Sequence, residues 1–124
     1  YQILKSPMEE VMFQVKFFIS SRGENLVKNF LDALQTKLRD KIVADIMFLE
    51  EYGYQAQRPR AALLRDKIYE LRTSLGHLEV RLLYFFDKEI IVLTHGFLKK
   101  SEAVPPTEIT KALNIRADYF LRKG

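Results

Sequence analysis

From Met12 to Ile19 the chain reads MFQVKFFI, with Phe13, Val15 and Phe17 alternating against Gln14, Lys16 and Phe18. That imperfect period of two predicts a first strand. Ser20, Ser21, Arg22 and Gly23 punctuate it, and the spacing then changes to threes and fours at Leu26, Phe30, Leu31, Leu34 and Leu38, which predicts an amphipathic helix. The apolar stripe resumes through Ile42, Ile46, Leu49 and Tyr52 and ends at Gly53, a residue suited to the left-handed position that closes a helix. A single helix over this whole region would run about 42 Å, longer than a chain of this size is wide. Two helices with a break near Thr36 to Asp40 are therefore expected. Residues 1–11 show no period and contain a proline; they are read as an extended lead-in, with Met8 or Met12 as candidate initiators.

Tyr54 to Pro59 reads as loop, and a short helical turn is expected at Ala61 to Leu64. Three runs rich in β-branched and aromatic residues follow: Lys67 to Arg72, Leu78 to Phe86 and Ile90 to Phe97. The connections at Thr73 to Gly76 and Asp87 to Glu89 are short enough for hairpins, so an antiparallel meander is expected. Pro105 and Pro106 introduce a final helical pattern at Ile109, Ala112, Leu113 and Arg116 to Phe120. The order of one strand, two helices, three strands and one helix predicts an α+β domain with an antiparallel or mixed sheet and helices covering one face.

Composition narrows the classes. With 124 residues, one domain is expected; the hydrophobic fraction of 48% and charged fraction of 29% argue against disorder. The absence of cysteine removes disulfide scaffolds, thiolate zinc sites and thiol nucleophiles. No apolar run approaches the roughly 20 residues of a membrane span, and no secretory signal is expected from an opening that carries Lys5, Glu9 and Glu10. A formal charge of +4 favours anionic partners. The excess is uneven, with Arg58, Arg60, Arg65, Lys67, Arg72 and Arg81 in one stretch, then Lys99, Lys100, Arg116, Arg122 and Lys123.

The glycines form neither a Walker loop nor a dinucleotide fingerprint, and the two histidines lack acidic neighbours at metal-ligand spacing. Ser74 and Ser101 lack the context of a hydrolase nucleophile. What remains is cationic. Arg81 is the most informative residue, because a cation inside an apolar strand needs water, a carboxylate or a bound anion. Its plain reading is a salt bridge to Glu70 or Glu79. The sharper reading has Arg72, Arg81, Lys99 and Lys100 converging on a phosphate, which the arginine fork suits. His95 is a candidate general acid or base. Tyr84, Lys67 and Arg116 are candidate substrate contacts, and Tyr69 and Tyr119 are further aromatic candidates.

Taken together, KIYELR, LEVRLLYF and IIVLTHGFLKKSEAVPPTEITKA resemble the RelE/HigB superfamily of bacterial and phage-derived toxins, in particular its HigB-like branch. The likeness runs from about Met12 through the helical pair ending in EEYG to the last helix. It implies a RelE-like fold in which a small, mostly antiparallel sheet is packed by an N-terminal helical pair and a C-terminal helix. It also implies a type II toxin that cleaves mRNA on the ribosome in the cytoplasm, without metal or other cofactor, and that is silenced by a helix-turn-helix antitoxin. The implied chemistry is attack of a ribose 2′-OH on its adjacent phosphate, with cations stabilising the transition state. Matched by motif, Arg72, Arg81, Lys99 and Lys100 take the family's basic positions, and His95 lies in its HGF segment. The sequence departs from some relatives near the chain end, where only Tyr119 stands. The alternative is a non-catalytic module on the same fold that pairs with an antitoxin or with nucleic acid.

Overall fold

The computed structural model describes residues 12–123, so the expected lead-in at 1–11 lies outside the described residues. The first strand, β1 (Gln14–Phe17), is followed by two helices, α1 (Leu26–Asp32) and α2 (Thr36–Tyr52). Asn25 caps α1, its Oδ1 accepting from the Lys28 N–H at 2.9 Å, an interaction worth about 1 kcal/mol. The break expected near Thr36 to Asp40, which already form the start of α2, falls instead at residues 33–35. There the Ala33 and Leu34 N–H groups reach back only three residues, to Phe30 and Leu31, and Gln35 turns extended. With no glycine or proline at the break, packing is what divides the helix: α1 lies against the last strand of the sheet and α2 against a strand nearer its other edge.

Gly53 closes α2 at φ 51°, as its position in the stripe predicted, and the Phe13 ring fills the space a Cβ would occupy. A 3₁₀ turn (Gly53–Gln55) leads to β2 (Ala61–Arg65), then β3 (Ile68–Leu75), β4 (Leu78–Asp87), β5 (Ile90–Leu98) and α3 (Pro106–Lys123). The helical turn expected at Ala61 to Leu64 is instead strand β2. Its alanines favour a helix locally, but pairing of Ala61 with Leu71 and Ala62 with Glu70 buries both against β3. Tertiary pairing outweighs a propensity difference of a few tenths of a kcal/mol.

The five strands form one sheet in the order β1-β5-β4-β3-β2. All neighbours are antiparallel except β1, which lies parallel to β5. The hairpin turns are two residues long, at Asp66–Lys67, Gly76–His77 and Lys88–Glu89. Three non-glycine residues there hold positive φ, Asp66 at 52°, Lys67 at 61° and Lys88 at 55°. Tight hairpin turns require this geometry where glycine or asparagine is usual, at a cost of order 1 kcal/mol each.

Helices cover both faces of the sheet, not one. Leu71, Val80, Leu82, Tyr84, Ile91 and Leu93 pack against Val27 and Leu31 of α1 and Leu38, Ile42, Ile46 and Leu49 of α2. On the reverse face, Ile68, Leu83, Phe85 and Val92 meet Ile109 and Ala112 of α3. The central strands therefore carry near-continuous apolar runs, since both their faces are buried. Two ties fix the far end of α3: Tyr119 Oη donates to Asp87 Oδ2 and Lys123 Nζ bonds the same oxygen, each at 2.7 Å. No helix among the described residues is long and apolar enough to cross a membrane.

Replacing Gly53 with alanine should lower the unfolding free energy by about 2 kcal/mol or more, through a strained φ and a collision with Phe13. Urea denaturation measures the loss, and an unchanged midpoint would contradict this account of how α2 ends.

Candidate functional site

Register places the sequence-predicted cations. Arg72 of β3 lies directly opposite Arg81 of β4, which lies opposite Phe97 of β5. The row on one side is Glu70, Leu83 and His95. On the other side Ser74 pairs with Glu79, whose carbonyl accepts the Lys99 N–H at 2.7 Å. These residues share the face on which α3 packs, in a patch about 10 Å wide across three strands. α3 covers the His95 row, through Glu108, and the register runs from there toward the ends of β3 and β5.

A bulge makes this arrangement. Leu83 pairs with His95 and Tyr84 with Leu93, so Thr94 is the extra residue on β5. Before the bulge, Ile91 and Leu93 face α1 and α2; after it, His95 and Phe97 face α3. One inserted residue thus reverses which side chains reach which face. Without it His95 would point at the opposite core.

Two like charges opposite each other on one face repel. Here carboxylates occupy the diagonals. Arg81, 2% exposed, has its Nε 3.0 Å from Glu70 Oε1, and its Nη1 donates to Glu79 Oε1 at 3.2 Å and to the Val80 carbonyl at 2.9 Å. The Arg81–Glu70 contact is a Coulombic pair meeting off the hydrogen-bonding direction, and neither Nε nor Oε1 has another partner among the described residues. The plain reading of Arg81 is therefore met by both glutamates. Glu79 is half-buried and is held ionised below the usual carboxylate range, first by a hydrogen bond from Ser74 Oγ at 2.7 Å and then by Arg81 and Lys99, against the effect of burial.

His95 is as buried as Arg81. Its Nε2 lies 2.9 Å from Glu108 Oε1 at the start of α3, and its Nδ1 3.0 Å from Thr94 Oγ1. Burial lowers its pKa below 6.5; the Glu108 carboxylate opposes this shift and Lys111 reinforces it. The Thr94 hydroxyl donates its one proton to the Leu83 carbonyl at 3.1 Å, so its oxygen faces Nδ1 as an acceptor, while Nε2 meets the Glu108 carboxylate. Both nitrogens are then occupied, so proton transfer at His95 requires one of these bonds to open.

The accessible cations of the patch are Arg72 and Lys99, both partly exposed, and Lys100, exposed where the chain leaves β5. Three other candidates lie elsewhere. Tyr84 is buried on the α2 face, stacked on Tyr69 with ring centroids 5.4 Å apart, and burial, with Tyr69 and Glu70, raises its phenol pKa. The reason is parity: Tyr84 is three residues from Arg81 and so faces the other way. Lys67 sits in the β2–β3 turn, and Arg116 of α3 donates to the Asp66 carbonyl at 2.6 Å. Both belong to the opposite end of the sheet, about 16 Å along β3 from Arg72. Sequence reasoning missed Glu79 as more than a counter-ion, and also Phe97, Glu108 and Lys111. The alternation of Glu79 with Arg81 was a readable signal for the first. Glu108 needs the docking of α3, which no local pattern carries.

The fold and patch together define a small α+β domain with a mixed, mostly antiparallel sheet whose α3 face carries Arg72, Arg81 and Lys99 beside Glu70 and Glu79. The chain belongs to the family described as phage derived protein Gp49-like (DUF891), whose model matches residues 29–117, from α1 into α3. No curated protein matches the sequence. Among the described residues, no three His, Asp or Glu side chains group as a metal site would need.

Arg81→Ala would leave Glu70 buried without its counter-charge and should destabilise the fold by about 3–5 kcal/mol, whereas the double change Arg81→Met with Glu70→Leu should cost much less. A double-mutant cycle by urea denaturation measures the coupling, and additive losses would show that the pair does not act as a unit. Because folding depresses the His95 pKa, the unfolded chain binds this proton more readily. The stabilisation is complete above about pH 6.5 and is lost as pH falls through the lower folded-state value. Wild type should therefore lose more stability than His95→Asn between pH 7.5 and 5.5; parallel losses would remove His95 as the cause.

Proposed function

We propose that this protein is a RelE/HigB-like toxin of a type II toxin-antitoxin system: a ribosome-dependent mRNA endoribonuclease of the cytoplasm, silenced by a helix-turn-helix antitoxin. What supports this reading is the gathering of Arg72, Arg81, Lys99 and His95, from three successive strands, on one face of the sheet. A sheet face with partly open cations, Arg72 and Lys99, and an aromatic residue, Phe97, beside them suits a single RNA strand, whose phosphates need cations and whose bases stack.

In this mechanism Arg72 and Lys99 hold the scissile phosphate, and Arg81 orients Glu79 from within the sheet. The ionised Glu79 carboxylate takes the proton of the 2′-OH, O2′ attacks phosphorus, and the P–O5′ bond breaks. An ammonium group, Lys99 or Lys100, neutralises the developing charge and supplies the proton to O5′, leaving a 2′,3′-cyclic phosphate. His95 then serves by position, anchoring the start of α3 through Glu108. Tyr84 has no part, since it faces the other core.

A second reading is the non-catalytic module that pairs with an antitoxin or nucleic acid. Its specific support is that Arg81 is already neutralised by Glu70 and Glu79 and is closed to solvent.

Induced expression in bacteria, with primer-extension mapping of a translated reporter mRNA, separates the two. Wild type should arrest growth and cut within codons, while Arg72→Ala and Lys99→Ala should each reduce cutting about 10²–10³-fold without loss of fold. Intact mRNA and normal growth with wild type would favour the binding module.

A further inference from the structure

The Asp66–Lys67 and Lys88–Glu89 turns meet at the end of the sheet remote from Arg72 and Arg81, and between them lies a cleft of about 700 Å³. Lys67, Lys88 and Arg116 line it together with Tyr54, Phe86 and Phe120. The walls are held in place. Tyr54 Oη donates to the Lys88 carbonyl at 2.7 Å, Arg116 donates to the Asp66 carbonyl, and the Tyr54 ring packs on Phe86 with centroids 4.6 Å apart. Tyr54 is nevertheless 59% exposed and Phe120 42% exposed. The one lining carboxylate, Asp66, is engaged by Arg65 outside the cleft at 2.6 Å. Neither Lys67 nor Lys88 makes a side-chain hydrogen bond or ion pair among the described residues, although Lys88 helps keep the neighbouring Asp87 ionised.

We propose that this cleft is a second binding site for single-stranded nucleic acid, distinct from the Arg72–Arg81 patch. It would take one nucleotide, with the base against the exposed Tyr54 and Phe120 rings and the phosphate on Lys67 and Lys88. Rigid aromatic surface beside unpaired cations is the arrangement that binds single strands without reading sequence, and the volume falls within the range of small-ligand clefts. An acidic peptide would use the same lysines, but it would gain little from the aromatic walls. The inference rests on the RNA reading above for its choice of ligand, and on nothing from the catalytic face for its geometry. In that reading the site fixes a stretch of substrate several nucleotides from the cut.

The test uses a fluorescein-labelled 12-nucleotide oligouridine, with one 4-thiouridine for photocrosslinking, and a deca-glutamate peptide as competitor probe. Wild type should crosslink at Tyr54 or Phe120. Lys67→Glu combined with Lys88→Gln should weaken oligouridine binding about tenfold or more and reduce the salt slope by about 0.7, as loss of one neutralised phosphate on a single strand requires. Unchanged affinity and slope in this variant, or crosslinks confined to the Arg72–Arg81 face, would overturn the proposal. So would a loss of deca-glutamate binding with oligouridine binding intact, which would make the cleft a protein contact. Should the double variant fail to fold, the wild-type crosslink map decides alone. Cleft crosslinks in a protein that cuts no mRNA would sink the ribonuclease reading and leave this site standing.

Discussion

The structure turns on a charge placed where apolar residues belong. Arg81 sits in the middle of β4, between Val80 and Leu82, and is closed to solvent. A buried guanidinium is tolerable only with its counter-charges in place, and Glu70 on the adjoining strand and Glu79 two residues back supply them. This requirement makes the register of β3 against β4 a matter of electrostatics as well as packing. A slip of one residue would send Glu70 to the α2 core and strand both charges. The same arrangement allows Arg72 to stand opposite Arg81, because carboxylates on the diagonals offset the repulsion. Solving the problem of one buried arginine thus places two carboxylates among the cations of this face, and leaves Arg72 and Lys99 as its partly open charges.

The two ends of that face are differently built. Near Phe97 and Lys99 the chain leaves the sheet and the cations are partly open, while α3 covers the row below by docking Glu108 on His95. At the opposite end α3 is tied by Tyr119 and Lys123 to Asp87. Burial and the Asp87 carboxylate push the Tyr119 phenol up to about 12, so it stays a hydrogen-bond donor at neutral pH. Burial disfavours the Asp87 charge, but the bonds from Lys123 and Tyr119 outweigh it and keep the carboxylate ionised. α3 is thus clamped by polar contacts at both ends and by Ile109 and Ala112 between them. Anything that loosens either clamp changes how much of the face is open.

Much of the fold was legible in the chain. The switch from alternation to threes and fours marked β1 and the helical pair, Gly53 marked the end of α2, and the aromatic, β-branched runs marked β3, β4 and β5. The alanines of β2 misled, since a helix former in an edge strand is decided by its partner and not by itself. The parallel pairing of β1 and the covering of both faces were also hidden, because they depend on which segments meet across long stretches of chain.

For the site, sequence by itself determined the inventory: the cations, the absence of thiols, and the oddity of an arginine among apolar neighbours. It also determined that Arg72 and Arg81 could share a sheet surface, since both lie in strands joined by a short turn. Only the tertiary structure decided which side chains act together. The bulge at Thr94 carries His95 and Phe97 to the face of Arg81, parity carries Tyr84 away, and the tight turns carry Lys67 to a different cleft. The physical reason is that strand side chains alternate with a period of two. A single inserted residue, invisible in composition and barely visible in pattern, exchanges one face for the other.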